Sequence, residues 1–124
     1  MSDLRVLIVD DEEDMRALVR ATIEIADEGL SVAAEATDGE DAVSKWRAER
    51  PEVVVMDQRM PGVSGLETAE RILAEHPEQA IVLFSSYLDP DITRAAARLG
   101  IRTCLPKDDI RQLPDVLWST EVQA

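Results

Sequence analysis

The chain has 124 residues, of which 45% are hydrophobic and 31% charged, and its 13 basic and 26 acidic residues give a net charge of −13. This length and balance predict one folded domain over residues 1–124. The acidic excess argues against binding to nucleic-acid phosphates or to an anionic membrane. The sequence has neither an apolar run near the roughly 18 residues of a membrane span nor a signal-peptide pattern. Its single cysteine, Cys104, excludes an internal disulfide. We therefore expect a cytoplasmic protein.

Three continuous apolar runs have the length of β-strands, and they are Val6–Val9, Val53–Met56 and Ile81–Phe84. Runs of this kind are typical of strands that are buried on both faces of a parallel sheet. The segment Val32–Ala36 alternates less strictly and predicts an edge strand. Ile101–Leu105 is the fifth candidate strand.

Amphipathic stripes at helical spacing separate the predicted strands. The stripes are Met15–Ile23, Ala42–Trp46, Leu66–Leu73, Ile92–Leu99 and Ile110–Leu117. For the fourth helix, Asp89 is the predicted N-cap, Pro90 the first helical residue and Gly100 the stop. Alternating strands and helices predict an α/β fold, namely a doubly wound five-stranded parallel sheet with helices on both faces. In such sheets, functional residues lie just beyond the carboxyl ends of the strands.

Polar residues follow four of the predicted strands. They are Asp10 and Asp11 after the first strand, Asp57 after the third, Ser85 at the end of the fourth and Lys107 after the fifth. Two carboxylates about 4 Å apart repel by roughly 4 kcal/mol at an effective dielectric of 20, so a cluster of three favours a bound cation. Mg²⁺ prefers carboxylate oxygens and water. A buried carboxylate beside it can act as a nucleophile towards a phosphoryl group, whose oxygens a lysine and a hydroxyl can hold.

These residues belong to motifs that occur in a family-specific order: Val6–Glu12, Val54–Gly62, Gly65, Ser85 and Leu105–Lys107. In this order and spacing they resemble the receiver domain of bacterial two-component response regulators, over essentially the whole chain. The resemblance implies a flavodoxin-like sheet with the strand order 2-1-3-4-5. It also implies that Asp57 accepts a phosphoryl group from a phosphohistidine on a sensor histidine kinase or phosphotransfer protein.

The resemblance further implies a ligand set and partners. Mg²⁺ would be held by Asp11, Asp57 and the backbone carbonyl of Arg59, with Asp10 acting through water. Ser85 and Lys107 would contact the phosphoryl oxygens. The chain would catalyse transfer only onto and off its own aspartate, so we do not expect an enzyme in the usual sense. Beyond the phosphodonor, the expected partners are a downstream protein or an output domain absent from this chain, and a second copy bound through helix four, strand five and helix five.

Three positions depart from the family pattern or border its site. Cys104 occupies the place of the family's aromatic switch residue, which predicts weaker or differently routed coupling to the face formed by helices four and five. Arg59 and Tyr87 each lie two residues beyond a predicted site residue. Because both side chains are bulky, we expect them to border the phosphoryl pocket, to shield it from water and to slow dephosphorylation.

Two other functions remain open from the sequence. A receiver-fold interaction or oligomerisation module that works without phosphorylation would suit the missing aromatic residue, although the complete acidic set argues against it. An α/β hydrolase would need a general acid–base besides a nucleophile, and no candidate for it appears at the strand ends. A flavin-binding protein would need a phosphate-binding loop rich in Gly, Ser and Thr after the first strand. The acidic segment Asp10–Asp14 would instead repel phosphate.

Overall fold

The structure, a computed structural model, describes residues 4–26 and 28–123. Its five strands are β1 (Leu4–Val9), β2 (Leu30–Ala36), β3 (Val53–Met56), β4 (Ala80–Ser85) and β5 (Thr103–Pro106). They form one sheet in the order β2-β1-β3-β4-β5, and every neighbouring pair is parallel. The predicted fold and strand order are confirmed, with β2 at one edge.

Five α-helices connect or follow the strands: α1 (Glu13–Ala26), α2 (Gly39–Glu49), α3 (Gly65–Glu75), α4 (Pro90–Leu99) and α5 (Leu113–Gln123). A 3₁₀ helix, Lys107–Gln112, precedes α5. N-capping side chains explain where three of the helices begin. Asp38, Ser64 and Asp89 each accept a backbone N–H in the first turn of α2, α3 and α4, which satisfies donors that the helix cannot use.

Successive side chains along each strand point to opposite faces of the sheet, and they pack into two hydrophobic cores, one on each face. On β1, Leu7 and Val9 enter the core that α2, α3 and α4 cover, whereas Val6 and Ile8 enter the core covered by α1 and α5. Strands buried on both faces account for the continuous apolar runs in the sequence. The two covered faces leave the carboxyl edge of the sheet as the place where polar side chains meet.

The structure differs from the prediction in where β5 begins. The expected strand started at Ile101, but β5 starts at Thr103. Gly100 adopts a left-handed conformation with a φ of 99°, and the N–H of Ile101 then donates to the carbonyl of Ala96. Ile101 therefore belongs to the C-terminal cap of α4, a role that its apolar side chain does not reveal. Within the described part of the chain, no helix is long and apolar enough to cross a membrane.

Candidate functional site

The carboxyl edge of the sheet brings three aspartates together. Asp10 follows β1 and Asp57 follows β3, and their exposed fractions are 3% and 4%, whereas Asp11 is exposed. One carboxylate oxygen from each of the three lies within 4.8 Å of the others. Because β1 and β3 are hydrogen-bonded neighbours, the residues that follow them are forced into proximity. The predicted convergence of the aspartates is confirmed.

Lys107 joins two of these carboxylates. Its Nζ lies 2.8 Å from Asp10 Oδ2 and 3.2 Å from Asp57 Oδ2, and its side chain is 8% exposed. Burial acts to lower the pKa of Lys107, but the hydrogen bonds and negative charges of Asp10 and Asp57 outweigh it and raise the pKa above its ordinary value. The ammonium is therefore charged at neutral pH and partly compensates the two buried carboxylates.

Backbone amides hold the other oxygen of each buried carboxylate. The N–H of Glu12 donates to Asp10 Oδ1 at 2.9 Å, and the N–H of Gln58 donates to Asp57 Oδ1 at 2.8 Å. Each of these carboxylates thus accepts one bond from a backbone amide and makes one contact with Lys107. This arrangement orients both groups before any ligand arrives, which is the kind of preorganisation that polar transfer chemistry requires.

The loop between β3 and α3 leaves no room for a side chain at Gly65. A Cβ atom built there would lie 2.1 Å from the carbonyl oxygen of Asp57 and 2.9 Å from its carbonyl carbon. The N–H of Gly65 donates to the carbonyl of Gln58 at 2.9 Å, and the Gln58 side chain accepts the N–H of Leu66. The start of α3 is therefore packed directly onto the backbone of Asp57.

Ser85 completes the predicted set at the end of β4. Its side chain is fully buried, and its Oγ accepts the N–H of Tyr87 at 3.1 Å. The register of β3 and β4 pairs Met56 with Leu83, so Ser85 follows that pair on the same edge as Asp57. Since the amide uses one of the oxygen's lone pairs, the hydroxyl proton remains free to donate.

Comparison with known proteins identifies the family. A sequence model described as the response regulator receiver domain matches residues 6–117. The chain belongs to this family. Among solved structures, the response regulator domain of Thermotoga maritima CheB shares 30% identity at a TM-score of 0.85, over 98% of this chain and 96% of that one. The receiver domain of the putative response regulator NarL from Mycobacterium tuberculosis shares 25% identity at a TM-score of 0.92, over the full length of both.

Curated relatives of this receiver domain are longer proteins. The chain is 39% identical over 99 residues to a protein-glutamate methylesterase/protein-glutamine glutaminase of Haloarcula marismortui, which covers 78% of this chain and 26% of the relative. It is 41% identical over 79 residues to the response regulator GacA of Pseudomonas viridiflava, covering 64% of this chain and 36% of GacA. The matched segments thus cover about a quarter of the first relative and just over a third of the second.

Arg59 and Tyr87 contact each other in the receiver domain. The Arg59 guanidinium lies 4.2 Å from the centroid of the Tyr87 ring, and the Tyr87 side chain is half exposed. The pair therefore bridges the loop after β3, which begins at Asp57, and the loop after β4, whose last residue is Ser85. The sequence located both residues near the site but did not reveal that they stack.

Removing either partner of this stack should shorten the lifetime of a phosphoryl group on Asp57. Tyr87→Ala or Arg59→Ala is expected to speed hydrolysis by roughly two- to fivefold, the equivalent of an exposed cation–π contact of about 0.5–1 kcal/mol, because water would reach the site more often. The measurement is the decay of the phosphorylated protein by intact-mass spectrometry. Arg50→Gly is the matched control, since it removes the arginine stacked on Trp46. An unchanged half-life in both site variants would contradict the shielding role.

Cys104 lies on β5 opposite Leu83 and is half-buried. It packs against the core covered by α2, α3 and α4, and burial raises the pKa of its thiol. The residue therefore behaves as a small apolar side chain in the strand that precedes Lys107. Its effect on coupling to the face of α4 and α5 stays a prediction.

The sequence does not reveal one contact at this edge. The Nη1 of Arg16, on α1, donates to the backbone carbonyl of Asp10 at 2.8 Å. Arg16 lies beside the apolar stripe of α1 and looks like one of many surface arginines. No sequence pattern pairs it with a main-chain oxygen six residues earlier, so only the tertiary structure reveals this contact.

Proposed function

We propose that this receiver domain accepts a phosphoryl group on Asp57 from a phosphohistidine of a sensor histidine kinase or phosphotransfer protein. The observation that carries the proposal is the state of the Asp57 carboxylate: it is 4% exposed, with one oxygen held by the Gln58 amide and the other 3.2 Å from the Lys107 ammonium. A carboxylate in this position is fixed and lies next to a cation that can stabilise developing negative charge.

The proposed step is a nucleophilic displacement at phosphorus. A carboxylate oxygen of Asp57 forms a bond to phosphorus while the P–N bond to the donor histidine breaks, and the electron pair stays on the imidazole nitrogen, which then takes up a proton. Lys107 neutralises charge on one phosphoryl oxygen, and the Ser85 hydroxyl donates to another. Hydrolysis later returns Asp57 to its free form, so the chemistry begins and ends on the chain's own residue.

The acidic cluster fits a divalent cation. Three carboxylates lie within 4.8 Å of one another, and the Lys107 ammonium contacts two of them, so three acidic groups share one neighbouring lysine. Oxygen donors of this kind suit Mg²⁺, with Asp10, Asp11, Asp57 and the backbone carbonyl of Arg59 as the proposed ligands. When bound, Mg²⁺ would neutralise phosphoryl charge during transfer.

The proposal makes the domain a switch whose output lies elsewhere. Phosphorylation would favour one of two pre-existing conformations and so alter binding to a downstream protein or to an output domain. The longer relatives named above combine a receiver domain with further sequence, in keeping with such an arrangement. Homodimerisation through α4, β5 and α5 remains a proposed interaction of this face.

The test is intact-mass spectrometry after incubation with acetyl phosphate and Mg²⁺. Addition of one phosphoryl group is expected for the wild type, with none for Asp57→Asn and none in the presence of a chelator. Asp38→Asn is a matched control, because it removes a carboxylate but retains an N-capping side chain. A folded wild-type protein that stays unmodified by acetyl phosphate and by phosphorylated kinase would contradict the proposal.

A phosphorylation-independent interaction module is the second candidate function. The observation that favours it is Cys104, a small half-buried residue where the family has an aromatic switch. The two functions differ in one result. If a partner bound the wild type and Asp57→Asn equally, before and after treatment with the phosphodonor, the module would be favoured.

A further inference from the structure

Arg16 connects the acidic loop after β1 to the edge strand β2. Its Nη1 donates to the carbonyl of Asp10 at 2.8 Å, and its Nε donates to Glu35 Oε1 at 3.1 Å. The Arg16 side chain is 14% exposed, so most of it is removed from water by these contacts and by its neighbours. A guanidinium that makes two bonds in fixed directions is a rigid connector, unlike a flexible surface lysine.

Glu35 is itself held firmly. Its Oε2 accepts a bond from the Nε of Arg20 at 2.8 Å, and its backbone carbonyl accepts a bond from the Nζ of Lys45 at 2.6 Å. Lys45 also pairs with Asp41 on α2. Glu35 is therefore fixed from α1 on one side and from α2 on the other. A residue anchored in this way can serve as a reference point for the loop beside it.

The carbonyl that Arg16 binds belongs to the peptide unit joining Asp10 to Asp11. The N–H of Asp10 donates to the carbonyl of Ala36, so β2 holds the loop before this peptide. Arg16 holds the peptide itself, through Glu35, the residue that precedes Ala36. Together the two contacts fix the path of the backbone as it leaves β1. They thereby fix the backbone position from which the exposed Asp11 side chain extends.

We infer that Arg16, anchored by Glu35, is a positioning residue that sets the divalent-cation affinity of the acidic cluster. The inference rests on the proposed function, because it assumes that Asp10, Asp11 and Asp57 bind the cation. Groups that orient metal ligands without touching the metal typically change affinity by about 10- to 100-fold when they are removed. Arg16 has this relation to Asp10 and Asp11.

Charge alone predicts the opposite sign. Arg16 is a cation close to the cluster, so its removal would strengthen the attraction for a second cation if electrostatics dominated. If positioning dominates, removal weakens binding because Asp11 is no longer held near its partners. The direction of the change therefore separates the two roles.

The experiment is titration of the protein with Mn²⁺, followed by electron paramagnetic resonance of the free ion. Arg16→Ala is expected to weaken binding by roughly tenfold, the lower end of the range for such residues. Arg16→Lys should bind Mn²⁺ more tightly than Arg16→Ala but less tightly than the wild type. Glu35→Gln should also weaken Mn²⁺ binding. Arg47→Ala is the control, since it breaks an exposed arginine–glutamate pair between α2 and α3 and should leave the affinity unchanged.

A metal-free measurement accompanies the titration. Hydrogen–deuterium exchange of the peptide covering residues 8–14 should be faster in Arg16→Ala than in the wild type, and unchanged in Arg47→Ala. Wild-type or tighter Mn²⁺ affinity in folded Arg16→Ala would overturn the inference and leave the proposed function standing. A wild type that binds no Mn²⁺ would overturn the proposed metal site and this inference with it.

Discussion

Lys107→Met is expected to cost the metal-free protein about 3 kcal/mol of its free energy of unfolding, the scale for removing one partner of a buried charge pair. Asp10 and Asp57 would keep their burial but lose the ammonium that contacts both. Mg²⁺ should restore much of this stability, because it binds the folded state and no longer competes with a lysine. The rate of phosphorylation should fall by roughly a hundredfold or more, as when an oxyanion donor is removed.

Urea denaturation in chelator and in Mg²⁺, together with phosphorylation followed by mass spectrometry, measures these effects. The other lysine of the chain, Lys45, is a suitable control, because its pair with Asp41 is more exposed. Lys45→Met should cost about 1 kcal/mol or less in chelator. Equal stability loss for the two variants in chelator would show that Lys107 does not compensate the buried aspartates.

The contribution of Lys107 to the free energy of unfolding is expected to change with pH in a known direction. The pKa of Lys107 is raised in the folded state by Asp10 and Asp57 against the effect of burial. A raised lysine pKa stabilises the fold fully below the ordinary value of 10.5, and this stabilisation is lost as the pH rises through the folded pKa. The difference in stability between the wild type and Lys107→Met should therefore be constant near neutral pH and shrink in strongly alkaline solution.

Gly65→Ala is expected to lower both stability and phosphorylation. The new methyl group would lie 2.1 Å from the carbonyl oxygen of Asp57, and the contact is with backbone, which cannot rotate away. Overpacking of this kind costs typically about 1–3 kcal/mol. The backbone of Asp57 must shift to relieve it, so the carboxylate should lose its alignment with the Gln58 amide and Lys107. Phosphorylation should then slow by more than the loss of folded protein explains.

Gly62→Ala separates this clash from simple backbone strain. Gly62 has a φ of 82°, but nothing lies within 4 Å of the position its Cβ would take. Alanine there should cost about 1–2 kcal/mol for the left-handed conformation, with a phosphorylation rate per folded molecule close to that of the wild type. If Gly65→Ala matched the wild type in both stability and rate, the packing of α3 onto Asp57 would have no role in the site.

Much of the fold follows from local sequence patterns. The run Val53–Met56 has apolar residues at every position because β3 is buried on both faces. Burial of this kind can therefore be predicted from residue type alone. Asp89, Pro90 and Gly100 mark the limits of α4 for equally local reasons of capping and φ preference. Ile101 shows where such patterns fail. Its apolar side chain fits a strand, but the residue lies in the C-terminal cap of α4, where apolar residues also occur.

The aspartates and Lys107 were predicted to converge because parallel strands place their carboxyl ends at one edge. The alternation of strands and helices, together with the family motifs, thus determined the fold class and the residue types that carry the chemistry. Only the tertiary structure decided which atoms meet: Lys107 contacts Asp10 as well as Asp57, Arg59 stacks on Tyr87, and Arg16 binds the Asp10 carbonyl. Such contacts join side chains from different loops and helices, and their geometry depends on how the helices pack on the sheet rather than on any local pattern.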